Sequence, residues 1–144
     1  MAKAKNDNGH YISRQEEKAI AKYNRKITKE LESKKHRRNV SEETYLTTMK
    51  DPKNIVEFDD LHTYFFTDAG TVKSVDGVTF SVPANSTVGV VGESGCGKSV
   101  TSLSLMQLVQ APQGQIVKGS IRYNDGEKCY DIAKMPSDAM RKIR

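Results

Sequence analysis

Gly92-Glu93-Ser94-Gly95-Cys96-Gly97-Lys98-Ser99 is a complete G-x-x-x-x-G-K-[ST] run, and its residue types describe one task, holding a chain of phosphates. Glycines let the backbone come close to a phosphate without Cβ interference. Successive backbone N–H groups, joined by the first amides of a helix starting at Ser99, make a concave nest of donors for an anion. Lys98 adds a positive charge beside the β- and γ-phosphate oxygens. The Ser99 hydroxyl is the expected ligand of a Mg²⁺ ion bridging those phosphates.

Such a loop works only between a buried strand and a helix. Thr87–Val91 is a short, nearly continuous apolar run, which predicts a strand covered on both faces. Ser99 to Gln110 predicts a helix. Val100, Leu103, Leu105, Met106, Leu108 and Val109 leave it only a thin polar side, so it is expected to be largely buried, and Ala111-Pro112 with Gly114 ends it. Upstream, "NIVEFDDLHTYFF" and "TVKSVDGVTFSV" are rich in β-branched and aromatic residues, with Asp68-Ala69-Gly70 as the turn between them. Val78, Phe80 and Val82 alternate, so one face of this hairpin is expected to be buried. Downstream, "GSIRYN" and "EKCYDI" flank an Asp125-Gly126 turn, and Ser137 is placed to cap a last short helix.

The first third of the chain has a different character. Residues 1–50 hold 13 Lys and Arg against 7 Asp and Glu, whereas residues 51–144 hold 10 against 11. The formal charge of +5 therefore belongs to the N-terminal segment. Residues 1–11 read as a polar tail. Ser13 and Glu16 have capping-box spacing at a helix start. Ile20, Tyr23, Ile27 and Leu31 then form a narrow apolar stripe on a charged helix that runs into "KKHRR". Ser41, with Glu42 and Glu43, is placed to cap a second short helix. The basic helix lacks the interleaved aromatics of nucleic-acid readers, so no nucleic-acid partner is expected. No apolar run reaches the roughly 18 residues of a membrane span, and the first 25 residues lack a secretory signal's apolar stretch. Cys96 and Cys129 have neither metal nor disulfide spacing and are expected reduced. His10, His36 and His62 have no partner at ligand spacing and read as surface residues.

"VGESGCGKSVTSLSLMQL" resembles the Walker A segment of ATP-binding-cassette ATPases, most closely the ATP-binding subunits of oligopeptide and dipeptide importers, in which GKSVT followed by Ser and Leu is characteristic. The likeness runs from about Asn54 to Arg144. It includes "VKSVDGVTFSVPANSTVGVVGESG" before the loop and "GSIRYNDGEKCYDIAKMPSDAMRKIR" after it. What it implies is an α/β fold: the N-terminal part of a P-loop ATPase domain at 54–144, with antiparallel hairpins and a Walker A strand-loop-helix, behind a helical or partly disordered basic extension at 1–53. It implies ATP and Mg²⁺ as cofactors, with Gly92, Glu93, Ser94, Gly95, Cys96, Gly97, Lys98, Ser99 and Val100 around the phosphates and Ser99 on the metal. Phe65 best matches the aromatic that stacks on adenine, and Tyr64 or Phe66 takes its place if the register slips by one.

The family's Q-loop, signature loop, Asp-Glu strand end and switch His have no counterpart in the sequence. The resemblance thus implies the front part of a peptide-import ATPase, expected neither to hydrolyse ATP nor to fold robustly by itself. Its expected partners are a second ATP-binding subunit, transmembrane permease subunits and, indirectly, an extracellular peptide-binding protein. Its expected place is the cytoplasmic face of the cell membrane, held peripherally. Taken without the resemblance, the residues leave two alternatives open: another P-loop nucleotide enzyme of kinase or GTPase type, or a non-enzymatic interaction protein built on the basic helix.

Overall fold

A computed structural model describes residues 11–144 of the chain; the expectations for residues 1–10, His10 included, lie outside them. Four strands make one antiparallel sheet in the order β2-β1-β3-β4: β1 Asn54–Phe66, β2 Thr71–Pro83, β3 Gly114–Asn124 and β4 Cys129–Asp131. Three helices accompany it: α1 Arg14–Lys35, α2 Lys98–Leu105 and α3 Ser137–Met140. Both expected turns form. Thr67 N–H donates to Gly70 O at 2.8 Å between β1 and β2, and Asp125 N–H donates to Lys128 O at 3.1 Å between β3 and β4.

One irregularity in β1 decides which side chains face the core. A strand that alternates strictly from Val56 and Phe58 would turn Asp60, His62 and Tyr64 inward. Instead the pairing shifts between Phe58 and Leu61, and Asp60 takes a φ of 49°. This β-bulge inserts one extra residue, so that Leu61 and Thr63, both 0% exposed, continue the inner face. Asp60, His62 and Tyr64 go to the opposite, polar face. β2 makes the matching change at Gly77, where φ is 84°. Val78, Phe80 and Val82 then join the core as the alternation predicts. Phe58 and Phe80 stack with centroids 4.4 Å apart, and Ile121, Ile132, Met135 and Met140 close the cluster from the other end.

His62 is not the solvated residue that the sequence suggests. On the polar face its ring lies between Asp60 Oδ1 at 2.9 Å and Asp76 Oδ1 at 2.8 Å, with 15% of the side chain exposed. Tyr64 donates its hydroxyl to the same Asp76 oxygen, and the Lys118 ammonium sits 2.7 Å from Asp60. Asp60 and Tyr64 lie two residues either side of His62 on β1, but Asp76 and Lys118 come from β2 and β3, beyond the reach of local spacing.

Residues 40–53 pack into the sheet. Tyr45 is a core residue, Asp131 N–H donates to Tyr45 O at 2.7 Å, and Thr47 N–H donates to Cys129 O at 2.9 Å, covering the β4 edge. Cys129 is packed, with Sγ 3.2 Å from Met49 Sδ. Glu57, 4% exposed, gathers the amides of Lys50 and Asp51 and the Asn54 side chain, each at 2.9 Å. The expected second helix is one 3₁₀ turn, Glu42–Thr44, and Ser41 makes no capping bond with its side chain. Ser137 likewise is the first residue of α3 and not its cap, which is Pro136.

α1 starts with the expected capping box: Glu16 N–H donates to Ser13 Oγ, and Ser13 N–H donates to Glu16 Oε2. Its packed face is turned one residue from the predicted stripe. Asn24 and Thr28 are buried, while Tyr23 is 65% exposed. The reason is polar: Asn24 finds two backbone acceptors on the β1–β2 turn, which an apolar stripe at Tyr23 could not satisfy. The face opposite Asn24 carries Lys18, Lys22, Lys26 and Lys29, all exposed.

Two expectations around the loop are corrected. Thr87–Val91 forms no strand and pairs with none among the described residues, and Val91 is 92% exposed. A segment apolar on both faces needs a strand on each side, and the four strands here pair only with one another. The helix after the loop stops at Leu105, not Gln110, and buries only Thr101 and Ser104. Met106 and Leu108 are 42% and 47% exposed, because the sheet covers a single side of this segment. Among the described residues no helix is long and apolar enough to cross a membrane.

Candidate functional site

Gly97 fixes the loop to the sheet. It is the N-cap of α2, with φ of 92°, in the left-handed region that favours glycine. A Cβ built on it would stand 2.2 Å from the Ser74 carbonyl oxygen of β2. Only a residue without a side chain lets the loop lie this close to the strand. Thr101 returns both its N–H and its hydroxyl to Gly97 O, at 2.9 and 3.0 Å, which sets the direction in which α2 leaves the loop. Val100 and Leu105 pack against the core and hold the helix there.

With no side-chain cap at Gly97, the first amides of α2, those of Lys98, Ser99 and Val100, have no acceptor within the helix. They form the donor-rich end to which an anion is drawn, aided by the helix dipole. Lys98 folds back over this end. Its ammonium donates to Gly92 O at 2.7 Å and Glu93 O at 2.5 Å, and lies 3.4 Å from Cys96 Sγ. Gly92, Glu93, Cys96, Gly97 and Lys98 are thus brought together on one turn. Ser94, Gly95 and Ser99 are exposed on the same turn, so the run from Gly92 to Ser99 is contiguous and largely accessible.

Phe65 lies on the sheet face that carries α2. The bulge at Asp60 puts it in phase with Thr63, whose hydroxyl meets Ser104 of α2 at 2.8 Å. Its partner across β2 is Val72, which is 54% exposed and only two residues from Ser74. This end of the face is open beside the loop's anchoring point. Tyr64 is on the other face and tied to Asp76, and Phe66 is 8% exposed. Of the three aromatics, Phe65 alone combines the loop's face with partial exposure.

Sequence reasoning missed two contributors. Gly114, which pairs with Phe65 across β3, has room for no side chain: a Cβ would meet Val109 Cγ1 at 2.4 Å and Phe65 Cε1 at 2.8 Å. The signal was present as a glycine opening a strand. Ser74 contributes only its carbonyl, which leaves no trace in side-chain chemistry.

Residues 75–141 match the model of the ABC transporter family. Three curated relatives agree. The chain is 49% identical over 71 residues to the oligopeptide transport ATP-binding protein AppD of Bacillus subtilis (strain 168), covering 49% of this chain and 22% of the relative. It is 38% identical over 92 residues to the dipeptide transport ATP-binding protein DppD of the same organism, covering 64% and 26%. It is 44% identical over 92 residues to a putative peptide import ATP-binding protein of Brucella abortus (strain 2308), covering 62% and 27%. The chain spans about a quarter of the length of the curated relatives it matches. On this sequence evidence, residues 75–141, which carry the loop, α2, β3 and β4, are similar to the ABC transporter family.

Proposed function

We propose that the chain is the nucleotide-holding front part of an ATP-binding subunit that powers peptide import. The observation that carries this reading is the donor-rich turn from Gly92 to Val100, with the uncapped start of α2 and the Lys98 ammonium converging on one exposed surface. The match to the ABC transporter family model supports ATP binding. The peptide substrate is proposed from the relatives, whose names are those of peptide transport and import proteins.

In this reading the amides of Gly95 to Val100 hold the β-phosphate, and Lys98 leaves its two carbonyl acceptors for the β- and γ-oxygens. Phe65 offers a flat face to the adenine. Such a face stacks on any base and contributes affinity with little discrimination. Magnesium fits here only in one way. Among the described residues no cluster of His, Cys, Asp or Glu could hold a metal ion, so the ion would be bound mainly by phosphate oxygens and water, with the Ser99 hydroxyl as the chain's own ligand. When bound, it neutralises the charge that the phosphates bring to the loop.

The complete protein, in the same proposal, pairs two such domains and acts on permease subunits at the cytoplasmic face of the membrane. Titration of a fluorescent ATP analogue, displaced by unlabelled ATP, tests the nucleotide assignment. Absence of displaceable binding would remove it.

A further inference from the structure

α1 lies outside the segment that matches the family model, yet it grips the sheet on both sides of Phe65. The first grip is Asn24, 4% exposed. Its Nδ2 donates both hydrogens, to Thr67 O at 2.7 Å and to Gly70 O at 3.1 Å. These two carbonyls bound the β1–β2 turn, one residue beyond Phe66. The second grip is Glu32, whose Oε1 accepts from Gln115 Nε2. Gln115 follows Gly114, the β3 residue paired with Phe65. The two strands that flank Phe65, β2 through its turn and β3 through its first residues, are thus tied to the same helix.

Asn24 is an odd choice for a buried helical position unless its hydrogen bonds matter, because a buried amide left without partners destabilises the fold. The Arg25–Asp68 pair beside it is exposed at both ends and 3.6 Å long, too weak to replace it. Val72, the cross-strand neighbour of Phe65, is more than half exposed, so packing from that side does not hold the aromatic. Ladder pairing with β2 and β3 and the Thr67–Gly70 bonds form the end of the hairpin, and α1 ties that end to a separate element.

We infer that α1 is a brace for the base-binding end of the site, with Asn24 and Glu32 as positioning residues that hold Phe65 ready for a nucleobase. The inference rests on the reading of Phe65 as the base platform and deepens it. A brace of this kind improves affinity by preorganisation, because the ring's place is set before the ligand arrives. It acts on the base alone. The phosphate loop is anchored separately, through Gly97 on Ser74.

That separation supplies the test. ATP and inorganic tripolyphosphate, both with magnesium, are titrated by calorimetry against the 144-residue chain and its variants. Asn24→Ala is expected to weaken ATP by roughly three- to tenfold, the range for one backbone-directed hydrogen bond, and to leave tripolyphosphate unchanged. Glu32→Ala, which removes the bond from Gln115 to α1, leaves that from Gln115 to Pro112 O and keeps the turn bonded, is expected to give the same split, and Lys29→Ala on the outer face to give none. Equal losses for both ligands in Asn24→Ala and Glu32→Ala would mean that α1 merely stabilises the fold, and the brace is overturned. Unchanged ATP binding in both overturns it as well. Phe65→Ala separates the two levels. If it abolishes the preference for ATP over tripolyphosphate while the α1 variants do not, the brace fails alone. If it leaves that preference intact, the base platform fails and the brace with it.

Discussion

Gly97 of the loop rests on the Ser74 carbonyl of β2, so close that an added Cβ would lie 2.2 Å from that oxygen. This contact joins the phosphate-binding turn to the sheet carrying the core, in a chain whose preceding apolar run does not itself enter the sheet. Gly97→Ala must lift the loop off β2 and also bear a left-handed φ, a strain of about 1–2 kcal/mol before any overlap. Tripolyphosphate affinity should fall by roughly five- to thirtyfold for that strain alone. Gly95→Ala is the comparison. Its φ is 83°, but nothing lies within 4 Å of its added Cβ, so its loss should be the smaller. Calorimetry on the two variants checks this; the reverse order would contradict the anchoring role.

The second prediction concerns the base. Phe65→Ala should weaken ATP and GTP alike by about 1–3 kcal/mol, the range for a base stacked on an aromatic ring. Competition titrations with both nucleotides decide it. A loss confined to one of them would point to hydrogen-bonded reading of the base edge.

Acid sensitivity should trace to Glu57. Burial pushes its carboxyl up, but the Asn54 side chain, the Lys50 and Asp51 amides and the Arg122 guanidinium outweigh burial and hold it below the usual glutamate range. A depressed carboxylate stabilises the fold fully above its unfolded pKa, and that stability is lost as pH falls through the folded value, hence below about pH 4. Glu57→Gln should cost about 1.5–3 kcal/mol at neutral pH and flatten the acid limb. Denaturation midpoints measured from about pH 3 to pH 7 test the sign. Parallel curves for the two proteins would show that Glu57 is not the titrating group.

Self-association should come from the unpaired apolar segment. Val88, Val90 and Val91 are 41%, 50% and 92% exposed, in a β-branched run whose backbone pairs with no strand among the described residues, and such a run is open to pairing with another chain. Val90→Lys should lower concentration-dependent light scattering while changing stability by no more than about 0.5 kcal/mol, as for other surface changes. Undiminished scattering would place the association elsewhere.

The features legible in the sequence are those made by neighbours along the chain: the capping box at Ser13, the turns at Asp68 to Gly70 and Asp125-Gly126, and the loop running into α2. The features missed depend on partners far apart. Tyr23 was preferred to Asn24 because periodicity counts apolar residues, whereas the helix docks through an amide. His62 looks solitary in the sequence because Asp76 reaches it from β2. The phase of Phe65 was readable in principle. Apolar Phe58 and Leu61 are three residues apart around two aspartates, and a strand keeps both inside only by bulging. The apolar run Thr87–Val91 predicts a strand covered on both faces and none forms among the described residues, because a strand needs partners to pair with.

The central claim is that the turn from Gly92 to Val100 holds the phosphates of a nucleotide, with Lys98 as its charge. The most direct measurement is the ATP dissociation constant of the chain beside that of Lys98→Ala, by displacement of a fluorescent analogue, with circular dichroism showing equal folding. A charge-assisted phosphate contact contributes about 1.5–3 kcal/mol, so the variant should bind roughly ten- to a hundredfold more weakly. Equal affinities in two equally folded proteins would contradict the account.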